Sequence, residues 1–174
     1  MTLIDYRNEN PMVTDDAWTH VAEDAALPTD RPATLSLQRW KAAREELYGR
    51  NLSLGVRLES HERVEEILPD LPRLALIALD FPNLNDGRHF TTARLLRERY
   101  GFHGKIRATG QVLRDQIDPM RRCGFNEFEL AENKDTASAI TAFDEISVVY
   151  QPAADAQPTA AQLRHRQSGP TMAG

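Results

Sequence analysis

A single cysteine, Cys123, in 174 residues excludes an intrachain disulfide and, within one chain, a cysteine-built zinc site or iron–sulfur cluster. The five histidines are scattered, and neither an HExxH helix nor paired cysteines occur, so no metal site is expected. No apolar run approaches the ~18 to 20 residues that cross a bilayer. Met1 to Asn10 carries Asp5, Arg7 and Glu9 where a signal peptide needs an apolar stretch, and a cytoplasmic protein is expected. The nine glycines build no phosphate cradle: Gly101-Phe102-His103-Gly104 lacks the Lys-Ser/Thr ending of a Walker loop, and no GxGxxG is present. The missing fingerprint removes the sequence evidence for NAD, while flavin binding, which needs no such motif, stays open. A net charge of −5 and the lack of an aromatic-studded basic strand speak against nucleic acid.

What is present is an ordinary globular composition, 41% hydrophobic and 27% charged, of a length that suits one domain. The apolar period switches repeatedly between two and 3.6 residues, the pattern of repeated βα units on a mainly parallel sheet. Strands are expected at Leu3 to Tyr6, Ala33 to Leu37, Leu52 to Leu58, Leu74 to Asp80, Lys105 to Ala108, Glu127 to Leu130 and Ser147 to Tyr150. Leu74 to Leu79 is nearly all apolar, as a strand buried on both faces should be. Asn8, Asn10 and Pro11 read as a turn, and the chain from there to Pro32 as irregular.

Helices are expected from Gln38 to Tyr48, from His61 to Leu68 after a Ser60 cap and before Pro69, and from His89 to Tyr100 before a C′ Gly101. Pro119 should break the segment Gln111 to Cys123, with Asp118 capping a new turn. Asp135 should cap a last helix with the stripe Ala139, Ile140 and Phe143. Residues 1–151 then form a single α/β domain, and 152–174, poor in large apolar residues, a disordered tail. Local patterning leaves a layered open sheet and an incomplete barrel as alternatives.

In either architecture ligands bind beyond the carboxyl ends of the strands. The loop Asp80 to Arg88 delivers Asp86 and Arg88 to a helix start. Residues 86–123 hold nine basic and four acidic residues in a chain that is otherwise acidic. A basic island of this kind suits an anion or a negatively charged partner surface. Arg94, Arg97 and Arg99 also read as the solvated face of a helix. Lys105 and Arg107 share one side of a strand, where a charge facing a helix layer requires a partner such as Asp80 or Asp86. These residues form either a structural Asp–Arg network or a guanidinium cluster for a carboxylate, sulfur oxyanion or phosphate. Cys123 stands near a helix end beside Arg121 and Arg122, and reads as a packed residue or a thiol.

Asp80-Phe81-Pro82, Asp86-Gly87-Arg88, Ala93-Arg94-Leu95-Leu96-Arg97, Arg107-Ala108, Gly110, Val112-Leu113, Asp115-Gln116, Met120 and Arg122-Cys123-Gly124-Phe125, in this order and spacing, resemble an uncharacterised bacterial family. That family is domain of unknown function 934, often labelled "oxidoreductase probably involved in sulfite reduction". The resemblance spans about residues 72–150, with departures at His89-Phe90-Thr91-Thr92 and at Pro119. It implies a role beside sulfite reductase and the reductase of adenylylated sulfate. It carries over Asp80, Asp86, Arg88, Arg94, Arg107, Asp115, Gln116 and Cys123 as characteristic positions.

The expectation is therefore an accessory of cytoplasmic sulfite or sulfate reduction. Arg88, Arg107 and Arg94 hold an oxyanion or an acidic redox partner, supported by Asp80, Asp86, Asp115 and Gln116. The alternatives are a small oxidoreductase using a flavin or the Cys123 thiol, and a structural α/β subunit whose basic island is a homo-oligomer interface.

Overall fold

The computed structural model describes residues 2–7, 10–130, 136–143, 153 and 158–167. Six strands lie side by side, all parallel, in their order along the chain: β3 (Thr19–His20), β4 (Ala33–Ser36), β5 (Leu54–Leu58), β6 (Leu74–Phe81), β7 (Lys105–Gly110) and β8 (Glu127–Leu130). The first strand, β1 (Thr2–Arg7), joins the free side of β8 antiparallel, and β2 (Asn10–Thr14) pairs outside it as a hairpin. The sheet therefore reads β2-β1-β8-β7-β6-β5-β4-β3.

Parallel crossovers are right-handed, so a strand order that never reverses sends every one of them to the same face. The sheet curls, and the molecule is a half-barrel with helices outside and a second, concave face. This decides between the two architectures that patterning left open. The outer core takes alternate residues, Leu35, Val56, Leu58, Ile77, Leu79, Ile106, Ala108 and Phe128, and leaves out the equally buried Leu3, Leu76 and Ala78.

The outer layer contains α1 (Leu37–Leu47), a 3₁₀ helix over Val64–Arg73, α2 (Arg88–Arg94), α3 (Arg114–Arg122) and α4 (Thr136–Thr141). Ser36 caps α1 by accepting the Arg39 N–H at 3.1 Å. Trp40 of α1 is buried and donates its indole N–H to Asp70 at 2.8 Å. The Tyr48 hydroxyl and Arg44 bind the same fully buried carboxylate, so three donors offset its desolvation.

Several local expectations change. Asn10 to Thr14 is a strand rather than a turn, because β1 offers it an edge. No helix starts at Ser60; the turn begins at Val64 and continues through Pro69 and Pro72 as a 3₁₀ helix ending at Arg73. The helix expected from His89 loosens after Arg94 into a π turn, Leu95–Arg99, and ends with Gly101 at φ +63°. Pro119 lies inside α3 without breaking it. Burial of Ile117 and Met120 holds the helix, and Asp118 pairs with Arg121 at 2.6 Å instead of capping. Ala139 and Phe143 are buried as expected, with Ile140 packed against the core.

Within the stretch expected to be a disordered tail, Ala160–Gln167 is a helix, α5. Its start has a local cause. Thr159 accepts the Gln162 N–H at 3.3 Å while Gln162 accepts the Thr159 N–H at 2.8 Å, a reciprocal cap. The strand expected at Ser147 to Tyr150 and the cap expected at Asp135 lie outside the described residues.

Candidate functional site

Period two, which gives the outer face its aliphatic residues, gives the concave face charges. One register row runs Ser36, Arg57, Ala78, Arg107, Glu127 and Asp5 across five strand pairings. Asp80 and Thr109 lie one pleat further along, and Glu129 follows Glu127 on β8. Ala78 leaves room where its neighbours carry long side chains. A cavity of about 250 Å³ opens there, lined by Asp16, Trp18, His20, Thr34, Arg57, Ala78, Arg107, Thr109 and Glu129. Residues between β2 and β3 form a strap over it, with Asp16 fixed by the Trp18 N–H at 3.0 Å.

Arg107 is almost fully buried, and its guanidinium is occupied. Its Nη atoms donate to the two oxygens of Asp16 at 2.6 and 2.9 Å, and its Nε donates to Glu127 at 2.8 Å. Burial alone would lower the Arg107 pKa, but the two carboxylates raise it above the usual arginine value. Lys105 binds Glu127 as well and stands 3.8 Å from Asp5. Arg57 donates one N–H to Asp80 at 2.6 Å and makes no other hydrogen bond among the described residues. Thr109 donates to the same Asp80 at 3.1 Å.

Two titratable groups complete the wall. Glu129 is half-buried and unbonded among the described residues, and desolvation pushes its pKa up against the pull of Arg107 and Arg57. His20 stands at the exposed rim with Nδ1 3.3 Å from the Thr34 hydroxyl. Partial desolvation, then Arg57, lowers its pKa. A neighbouring cavity shares His20 and Arg57 but is otherwise acidic, with Glu23, Glu59, Glu62 and Asp80.

Of the arginines expected to converge, only Arg107 lines the cavity. Arg88, the first residue of α2, lies in the outer layer with its side chain 61% exposed, holding Asp86 at 2.9 and 2.6 Å and Ser60 at 3.0 Å. Those donors hold the Asp86 carboxyl well below the usual carboxylate range. Arg94 forms an exposed pair with Glu98 one helical turn on. Asp115 is exposed on α3, and Gln116 ties the Leu113 N–H to the Leu84 carbonyl. Cys123 is the half-buried C-cap of α3, packed against the outer core.

The expected partners also change. Lys105 and Arg107 face the concave side, not the helix layer, so Glu127 and Asp16 bind them, while Asp80 serves Arg57 and Asp86 serves Arg88. Arg97 is not part of a solvated face: it is half-buried, donates to the carbonyls of Phe102, Gly104 and Gly124, and desolvation pushes its pKa down to about 10. His89 is 1% exposed, edge-on to Phe81, with neither ring nitrogen in a hydrogen bond of normal geometry. Burial lowers its pKa, which the nearby Leu58 backbone only partly offsets.

Sequence reasoning missed Asp16, Trp18, His20, Arg57 and Glu129. For Arg57 and Glu129 a signal exists: each alternates with apolar residues that take the opposite face of its strand, Val56 and Leu58 on β5 and Phe128 and Leu130 on β8. Asp16, Trp18 and His20 reach the cavity through long-range closure of the hairpin and have no local signature.

The family model described as "Bacterial protein of unknown function (DUF934)" matches residues 55–161. Arg57, Ala78, Arg107, Thr109 and Glu129 fall inside the match, whereas Asp16, Trp18, His20 and Thr34 precede it. No curated protein matches the chain.

Proposed function

This chain belongs to the DUF934 family of bacterial proteins, and we propose that it is an accessory of assimilatory sulfite or sulfate reduction whose concave cavity binds a small oxyanion. The observation that carries the binding reading is the Asp16 carboxylate seated on both Nη atoms of Arg107, beside an Arg57 with most of its donors unclaimed. A carboxylate in that fork occupies the place an incoming oxyanion takes, since bidentate acceptance from guanidinium is common to both. The cavity, at about 250 Å³, lies below the size range of drug-like ligands and suits a small polar one. The resemblance of residues 72–150 supplies the sulfur chemistry, with sulfite reductase or the reductase of adenylylated sulfate as the enzyme served.

Titration of sulfite and sulfate by calorimetry tests the site. Binding that falls at least tenfold in Arg57→Gln but is kept in Arg88→Gln is expected. Equal losses in both variants, or no binding to the native protein, would overturn the reading. For the pathway, a strain lacking the protein should grow poorly on sulfate and normally on cysteine.

A further inference from the structure

The carboxylates of the concave face are held unequally. Asp16 and Glu127 bind Arg107, Asp80 binds Arg57, and Asp5 stands near Lys105, whereas Glu129 makes no hydrogen bond or ion pair among the described residues. Arg57, Lys105 and Arg107 thus face five carboxylates, and a bare anion entering beside an ionised Glu129 would meet net negative charge. We infer that Glu129 is protonated when the cavity holds an oxyanion and donates its O–H to a ligand oxygen, so that the anion and one proton enter together. This rests on the oxyanion reading and names the form of ligand the site accepts.

The surroundings support it from every side. Arg107 on β7, Arg57 on β5, Asp80 on β6, His20 on β3 and Asp16 on the strap all face the cavity or its rim, while Leu3 of β1 lies opposite Glu129 in register. Desolvation already favours the neutral carboxyl, and the two guanidiniums oppose it. A ligand that engages those guanidiniums weakens that opposition and adds repulsion of its own. An ionised carboxylate can only accept hydrogen bonds, whereas a protonated one supplies the donor an oxyanion needs.

Sulfate, whose charge is constant from about pH 5.5 to 8, is the probe, because only protein groups then titrate. Affinity of the native protein should fall about tenfold per pH unit above the Glu129 midpoint. Glu129→Gln, shown to be folded by circular dichroism, should bind with no such slope, and His20→Gln should keep it. Calorimetry in two buffers of different ionisation enthalpy should report uptake of about one proton per sulfate by the native protein near neutral pH. The same count in His20→Gln decides the matter even if Glu129→Gln fails to fold: uptake kept there supports Glu129, and uptake lost there overturns its role. Sulfate binding with no proton uptake, or a slope that persists in Glu129→Gln and vanishes in His20→Gln, overturns the role of Glu129 and leaves the oxyanion site standing. No sulfate or sulfite binding at any pH overturns both.

Discussion

Replacing Asp16 by Asn should weaken the fold and tighten the ligand at the same time. Asp16 contributes two short charge-assisted contacts to Arg107, at 2.6 and 2.9 Å, but its side chain is 35% exposed and Arg107 keeps Glu127. Hydrogen bonds to charged groups are worth about 1.5–3 kcal/mol when buried. Solvent exposure, and the carbonyl that Asn still offers, reduce the loss to about 1 kcal/mol. In urea this is a midpoint shift of roughly 0.5 M for a chain of this size. The same carboxylate competes with an incoming anion for the guanidinium, so its neutralisation should raise sulfate affinity by up to about fivefold, the equivalent of that 1 kcal/mol. The fluorescence of Trp18, which lines the cavity, reports the binding, since the chain's other tryptophan, Trp40, is buried against Asp70. A variant that loses stability but binds sulfate no better, or worse, would refute the idea that Asp16 occupies the ligand's place.

Three further outcomes follow from the geometry. His89 has a folded pKa below its unfolded one, so its contribution is full above the unfolded value near 6.5 and is lost as pH falls below it, at up to about 1.4 kcal/mol per pH unit; His89→Phe should flatten the decline in urea stability between about pH 6.5 and 5. Arg97→Met removes the only donor group described for three otherwise separate carbonyls and should cost about 2–3 kcal/mol in thermal unfolding, with sulfate affinity unchanged. Gly110→Ala should cost more than about 1 kcal/mol: at φ +85° its Cβ would lie 2.5 Å from the Phe81 carbonyl and 3.0 Å from Asp80 Oδ1, and equal urea midpoints for variant and native protein would contradict that geometry.

The parallel strands β4 to β8 were legible because each carries an alternation or an apolar run: Leu74 to Asp80 and Glu127 to Leu130 were located to within a residue, whereas the two-residue β3, Thr19–His20, lies in a stretch read as irregular. Strand order was not, because curl and closure depend on crossovers that leave no mark in local spacing. The hairpin β1–β2 shows why. Asn10 and Pro11 look like a turn until an edge is available, and only the pairing of β1 with β8 provides the platform. The site was half legible for the same reason. Arg107 stood out with Lys105 as a charge on one side of its strand, and its partner Asp16 lies ninety-one residues away in a segment without periodicity. Local charge density was misleading: the basic island mixes outward pairs such as Arg88–Asp86, a carbonyl clamp in Arg97 and the inward Arg107.

The placement of β1 against β8 has a consequence for biosynthesis. A two-stranded hairpin is at best marginally stable alone, and its docking edge is not made until residues 127–130 leave the ribosome. At about 5–20 residues per second, the opening segment waits several seconds for its neighbour while β3 to β8 can assemble in order behind it. The cavity draws Asp16 from the beginning of that interval and Glu129 from its end. The cavity is thus incomplete in the nascent chain until translation has carried it past the last parallel strand.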